Sequence, residues 1–305
     1  MSTLVWQDWS CEVRVVLADG VDHHRQPTDP ALVRRVVGGL MDDVAAAIDR
    51  FRTDSELSRL NAAAPALLPL GPLAFALIDT GLRAAFDTDG ACDPTVGAAV
   101  VRCGYDADIA VVRERREVPP LAAAPAPGWS RVLLDHDLRR VGLPAGVRLD
   151  LNATAKAWTA DEAAHRLAAR LGTGVLVSIG GDLAVAGGTL WPILVSEEAG
   201  GAGQQVAIDR GGVATSSTVA RRWAGGSRHH IVDPATGLPA TGPVRTATVW
   251  ARDCAAANAL STAAIVWGEA AWDRLQGEAA RLVMDDGRVV TTPSWPGVPS
   301  RTAVA

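Results

Sequence analysis

Apolar residues recur at helical spacing over Pro30–Asp49, at Leu32, Val36, Leu40, Val44 and Ile48, and again over Pro72–Thr88, at Phe75, Ile78, Leu82 and Phe86. Both patterns predict amphipathic helices. Asp29 ahead of Pro30 supplies an N-cap followed by proline at the first helical position. A period of two over Cys11–Asp19 predicts a strand, and Phe51–Asn61 reads as a turn and a short helical segment in which Ser55, Glu56 and Asn61 can serve as caps. The run Val147, Leu149, Leu151 ends around Asp150, and a third amphipathic helix opens near Lys156 and runs through Ala160, Ala164 and Leu167 to about Leu171. Gly174–Gly188 reads as a buried strand, a Gly180-Gly181 turn and a second strand; paired glycines there mark close backbone approach, to a neighbouring strand or to a ligand.

Shorter signals complete the pattern. Trp129–Val141 predicts a hairpin, Trp191–Ser196 a strand, Glu197–Gln204 a loop and Val244–Ala251 another strand. A helix from Cys254 to about Val266 follows, capped by Asp253, and Arg281–Met284 and Val289–Thr291 flank an Asp285-Asp286-Gly287 hairpin turn. Residues 113–128, rich in proline and alanine, read as a surface loop, and the tail after Trp295 as loose. Separated strands, glycine turns and long amphipathic helices give an α+β fold, and no strand–GxGxxG–helix unit supports a dinucleotide-binding Rossmann domain. Lobe boundaries are not visible in the pattern, so residues 1–305 read as one functional domain with its core at about 9–290.

Composition narrows the classes. The 305 residues carry 48% hydrophobic and 21% charged side chains, a globular balance, and a net charge of −5 argues against a nucleic-acid partner held by phosphate neutralisation. No apolar run approaches membrane-spanning length, and Met1–Asp8 lacks a basic region followed by an apolar core, so no signal peptide and a cytoplasmic location are expected. Cys11, Cys92, Cys103 and Cys254 are scattered without CxxC pairing, which favours free thiols.

The chain holds a single lysine, Lys156. Unpaired N–H groups at a helix start, together with an ammonium, can hold an anion such as a pyrophosphate; pairing with Asp161 on the same helix face is the other reading. The Asp93-Pro94-Thr95-Val96-Gly97 stretch is a rigid turn in which the aspartate can bond amides two residues on. Asn258, Ser261 and Thr262 share one helix face and can converge on a point, or face solvent or bond backbone.

Six segments, taken in order, carry a resemblance. They are Ser55-Glu56-Leu57 with Asn61; Asp93-Pro94-Thr95-Val96-Gly97; Leu149-Asp150-Leu151 with Lys156 and Asp161; Ser178-Ile179-Gly180-Gly181-Asp182; Ala214-Thr215-Ser216 with His230-Ile231-Val232-Asp233-Pro234 and Gly237; and Ala257 to Ala263. Together they resemble the FAD:protein FMN transferases, the ApbE or thiamine-biosynthesis lipoprotein family, over about residues 9–290. The resemblance implies two intimate lobes of mixed β-sheet with packed helices and the flavin nucleotide in the groove between them. It implies a magnesium-dependent enzyme that splits FAD, attaches FMN to a Ser or Thr hydroxyl of an acceptor protein and releases AMP. Carried over by position, Ala91, Cys92, Asp93, Thr95, Asp150, Lys156, Ile231 and Val232 would hold FAD. His230 and Lys156 would be catalytic, and the metal ligands would be Ala153 through its carbonyl, Asn258, Thr262 and Ser261.

The residue types suit that chemistry. An oxygen-only site fits Mg²⁺, Lys156 can clamp a diphosphate, and an imidazole can take the hydroxyl proton. The departures fall on the same motifs. The family's metal-binding aspartate is Asn258 here, so Mg²⁺ is expected to bind more weakly, and glycines usual around the lysine are Asn152, Ala153 and Ala157. Thr-Ser-Gly is Thr215-Ser216-Ser217, and Cys92 replaces an aromatic. A hydrolytic relative that cuts FAD to FMN and AMP, or a non-catalytic flavin-binding paralogue, are the alternative readings.

Overall fold

A computed structural model describes residues 1–18, 29–197 and 201–296. The far end of the Cys11–Asp19 strand, part of the Glu197–Gln204 loop and most of the tail after Trp295 therefore lie outside the described residues. The frame is an eight-stranded sheet in the order Ser2–Asp8, Cys11–Leu17, Val175–Ile179, Asp182–Ala186, Gly211–Ser217, Val244–Ala251, Ala279–Met284, Val289–Thr291. Every neighbouring pair runs antiparallel; a parallel pairing occurs outside the sheet as the Val96–Arg148 bridge. The fold is α+β, as the pattern predicts.

Two tight turns set this sheet. Trp9 and Ser10 link the first two strands with φ of 46° and 56°, both positive as a two-residue hairpin of matching twist requires. Gly180, at φ 65°, and Gly181 reverse the chain between Ile179 and its partner Asp182. A Cβ on Gly181 would stand 3.0 Å from the Thr215 carbonyl oxygen, so glycine lets the turn approach the Gly211–Ser217 strand.

One face of the sheet is covered by the Ala155–Leu171 helix, which packs on the Val175–Ile179 and Asp182–Ala186 strands, and by the Cys254–Trp267 helix, which packs on the next two. These two helices touch each other, and their buried faces are mostly alanine: Ala157, Ala160, Ala163 and Ala164 on one, Ala257, Ala259, Ala263 and Ala264 on the other. Small side chains bring the helix backbones close to the sheet and so fix what their polar residues can reach. Leu167, on the first of them, is fully buried; its truncation to alanine should cost about 2–5 kcal/mol. The Pro30–Ile48 and Pro72–Asp87 helices form an outer layer. The opposite face is covered by the Trp191–Ser196 and Gly203–Ile208 hairpin, whose Trp191, Ile193, Val206 and Ile208 pack on Leu176, Val185 and Val213. Burial on both faces is why the 175–179 run is apolar apart from the half-buried Ser178.

A separate, smaller core gathers Val100, Cys103, Tyr105, Ile109, Val112, Trp223 and Val232. Among the described residues no helix is long and apolar enough to cross a membrane, and the four cysteines are free.

Several expectations shift by small amounts. The first helix buries Val33, Val37, Leu40, Met41 and Val44, so its apolar stripe is centred one residue later than Leu32 and Val36 imply. Phe86 does not join the core of its helix; it is 68% exposed and meets Trp129 edge-on at 5.9 Å. The Ser2–Asp8 and Gly203–Ile208 strands were not predicted: the first buries no position fully, and the second begins Gly-Gln-Gln.

Candidate active site

The turn at Asp93 is the first wall of the site. Asp93 Oδ1 accepts from the Thr95 amide and hydroxyl, each at 2.7 Å, and Oδ2 accepts from the Trp129 amide at 3.0 Å. The turn is stitched to the chain ahead of the lysine: Gly97 donates to the Arg148 carbonyl and Asp150 to the Pro94 carbonyl, at 3.1 and 2.8 Å. A Cβ on Gly97 would lie 2.6 Å from the Arg148 oxygen, so this contact needs glycine. Asp150 is itself engaged, receiving the Asn152 amide at 2.8 Å and standing 2.8 Å from Arg50 Nε in a pair only 4% and 7% exposed. Arg50 lies over the rings of Phe51 and Tyr105, at 4.1 and 4.9 Å from their centroids.

Lys156 enters in the first turn of its helix. Thr154 at the N-cap makes no side-chain cap, and the Ala155 amide donates to the Leu151 carbonyl at 2.9 Å, which leaves the Lys156 and Ala157 amides for another partner. The ammonium does not pair with Asp161; it donates to Asp182 Oδ2 at 2.8 Å across the helix–sheet interface. Asp161 instead accepts from the Cys254 and Ala255 amides, at 2.9 and 3.0 Å, capping the neighbouring helix. Asp182, 1% exposed, takes a second bond from Asn258 Nδ2 at 2.6 Å. The Asn258 amide oxygen faces Thr262 Oγ1 at 3.4 Å, and Ser216 bridges the Ser261 and Thr262 hydroxyls at 2.9 and 3.0 Å.

His230 closes the far side. Its Nδ1 is buried without a partner. Burial first, then the charges of Arg221 and Lys156, push its pKa down to about 3, so the imidazole is neutral. Burial also raises the thiol pKa of Cys92 to about 12, which makes it an inert wall residue.

These elements enclose one cavity of about 570 Å³ between the large and the small core. Of the residues singled out from the sequence, Ala91, Cys92, Asp93, Asp150, Ala153, Lys156, His230, Ile231, Val232, Asn258 and Thr262 line it. Thr95 and Ser261, each fully buried, stand behind the wall and hold Asp93 and Ser216. Asp182 and Ser216 stand in the segments that carry the resemblance but receive no role from it, and Arg50 and Arg221 are participants that sequence reasoning missed. The glycine pair before Asp182 and the arginine run containing Arg221 were the available signals. Nothing local marked Arg50 as the partner of a residue 100 positions on.

The comparisons with known proteins agree with one another. Residues 8–282 match the model of the ApbE family. The chain is 27% identical to an FAD:protein FMN transferase of Haemophilus influenzae, covering 76% of this chain and 72% of the relative. Identity to the Vibrio cholerae protein of the same name is also 27%, over 82% and 78%. The crystal structure of an ApbE protein from Thermotoga maritima superposes with a TM-score of 0.81 at 25% identity, covering 96% and 97%. That of the Pseudomonas stutzeri flavinyl transferase ApbE superposes with 0.78 at 23% identity, covering 96% and 95%. The family match spans most of the sequence, and the chain belongs to the ApbE family.

Proposed function

We propose that this chain transfers FMN from FAD to a Ser or Thr hydroxyl of an acceptor protein and releases AMP. The observation that carries the reading is the meeting of Lys156, His230, Asn258 and Thr262, from three separated segments, in a single cavity. FAD is the donor that the names of the relatives indicate.

In this reading the acceptor hydroxyl attacks the flavin-side phosphorus. The P–O bond to the AMP phosphate breaks, a phosphoester forms, and the hydroxyl proton passes to His230 Nδ1. A neutral imidazole whose Nδ1 has no partner is equipped for that step. Lys156 and the open amides of its helix hold the diphosphate as negative charge spreads over the transferring group.

A divalent cation fits the residues present. Among the described residues no three His, Cys, Asp or Glu side chains cluster as a metal site, but the Asn258 amide oxygen and the Thr262 hydroxyl form a hard, neutral pair, and Ala153 lines the same cavity. Such oxygens suit Mg²⁺, which keeps positions for phosphate and water. When bound, Mg²⁺ would supply Lewis-acid stabilisation of the phosphoryl oxygens.

The test is incubation of the protein with FAD, Mg²⁺ and a peptide bearing an acceptor threonine. A peptide gaining the mass of FMN less water is the expected result. Free FMN with unmodified peptide would establish hydrolysis instead, and unchanged FAD would remove the catalytic reading.

A further inference from the structure

We infer that Asp182 is a positioning residue. One of its carboxylate oxygens fixes the Lys156 ammonium, and the other turns the Asn258 amide so that oxygen, not nitrogen, faces the cation position. The inference rests on the flavin-transfer reading for its purpose, while the geometry stands by itself.

Three observations carry it. The carboxylate is 1% exposed and both oxygens are used, Oδ2 by Lys156 Nζ at 2.8 Å and Oδ1 by Asn258 Nδ2 at 2.6 Å. A carboxylate only accepts, so the group it meets on Asn258 must be the NH₂ end. The remaining end, Oδ1, is the one beside Thr262 Oγ1. An asparagine without that neighbour could turn its amide end for end and present two donors to the cavity, which repel a cation. With Asp182 in place the amide has one orientation.

The placement of Asp182 is built into the backbone. The Gly180-Gly181 reversal starts its strand at this residue, and pairing with Ala214 sets it beside the strand that carries Ser216. The same contact accounts for the amide at position 258. A second carboxylate there would face Asp182 at hydrogen-bond distance, where two like charges do not both persist without a proton or cation between them. Asp182 thus holds the negative charge of the cation site one residue behind the atom that would touch the ion, and couples that site to the lysine. Both oxygens being occupied, it is not itself a ligand.

The test compares the wild type with Asp182→Asn, Asn258→Asp and the double exchange Asp182→Asn/Asn258→Asp. Free Mn²⁺ is titrated by its EPR signal, thermal melts report the metal-free fold, and transfer from FAD is measured in parallel. Asparagine at 182 loses the charge and can meet the 258 amide in either orientation, so Asp182→Asn should weaken Mn²⁺ binding by about tenfold or more, the scale of lost support to a metal ligand. Asn258→Asp should melt lower without metal. The exchange restores one acid and one amide with the same two hydrogen bonds, and should return Mn²⁺ affinity to within about threefold of wild type, as reciprocal coupling requires.

Mn²⁺ affinity unchanged in Asp182→Asn, an exchange no better than that single variant, or a wild type that binds no Mn²⁺ would each overturn the inference. If Asp182→Asn does not fold, the exchange alone decides: folding with Mn²⁺ bound supports the inference, and folding without it does not. The two failures are distinguishable. Transfer that persists with Mn²⁺ affinity indifferent to Asp182 removes the inference and leaves the proposed function. No transfer by the wild type, with the Mn²⁺ pattern as expected, does the reverse.

Discussion

Asn61 grips Leu149 by both ends of its amide: Nδ2 donates to the Leu149 carbonyl at 2.9 Å, and Oδ1 accepts from the Leu149 amide at 2.8 Å. The side chain substitutes for a neighbouring strand at the point where the backbone delivers Asp150 and Lys156 to the cavity. Asn61→Ala leaves two buried backbone groups without partners and should destabilise the fold by about 2 kcal/mol. Asn61→Asp, which lacks the donor, should do no better. Urea unfolding of both variants checks this; a loss below about 0.5 kcal/mol, the range of ordinary surface changes, would show that water replaces the amide.

His230 sets the acid side of the pH profile. Its pKa is depressed from 6.5 to about 3 by burial and by the neighbouring cations, so the free enzyme carries the neutral base at all pH values well above that. The value of kcat/KM should stay level from pH 8 down to about pH 5, because this ratio reports the ionisation of the free enzyme. An acid limb centred near 6.5 would contradict the assignment. The stability sign follows from the same shift. The unfolded chain binds a proton at this histidine that the folded state refuses, so stability is present above pH 6.5 and is lost as pH falls toward 3. His230→Gln should flatten that acid-side loss while lowering turnover.

Lys156→Met keeps the aliphatic stem and removes the charge. Turnover should fall by about 100-fold or more if the ammonium stabilises the transferring phosphoryl group. Asp182 would then be a buried carboxylate facing only an amide. The expected stability loss is about 1–2 kcal/mol, discounted from that of a fully buried pair because the Lys156 side chain is 23% exposed. Asp182→Asn in the same chain should recover stability but not rate. Full turnover in Lys156→Met would end the clamp reading.

How far the site could be read from the chain follows from sequence separation. Capped helices were legible because their signals are local: Asp29 with Ala31, Asp253 with Ala256 and Ser55 with Ser58 all lie within three residues. The Lys156 partner was not. Asp161 lies five residues away on the same helix, whereas the pairing with Asp182 depends on how that helix crosses the sheet. Asn61 reads locally as a cap, and only the fold reveals that it serves Leu149, 88 residues on. The Ser2–Asp8 strand is not legible because it lies at the sheet edge, where one face alone is partly buried and the hydrophobic signal is weak. Of the site residues given by resemblance, all but Thr95 and Ser261 arrive on the cavity wall, but which of them are already hydrogen-bonded was beyond any sequence argument.

Asp161 shows what that hidden bonding controls. Its carboxylate caps the helix carrying Asn258 and Thr262 by accepting from the Cys254 and Ala255 amides, and burial raises its pKa to about 7 despite those two bonds. The folded state therefore holds a proton that the unfolded chain releases near pH 4. This group's contribution is fully present below that pH and is lost as pH rises through about 7. Asp161→Asn should flatten the fall in melting temperature between pH 5 and pH 8, since an amide does not titrate. Asp161→Ala removes both acceptors and should cost about 2 kcal/mol at any pH, the upper range for a lost helix cap. It should also weaken Mn²⁺ binding, because the first turn of the Cys254–Trp267 helix leads directly to Asn258. Melting curves parallel to the wild type in Asp161→Asn would show that the carboxylate is ionised throughout, with the helix amides outweighing burial.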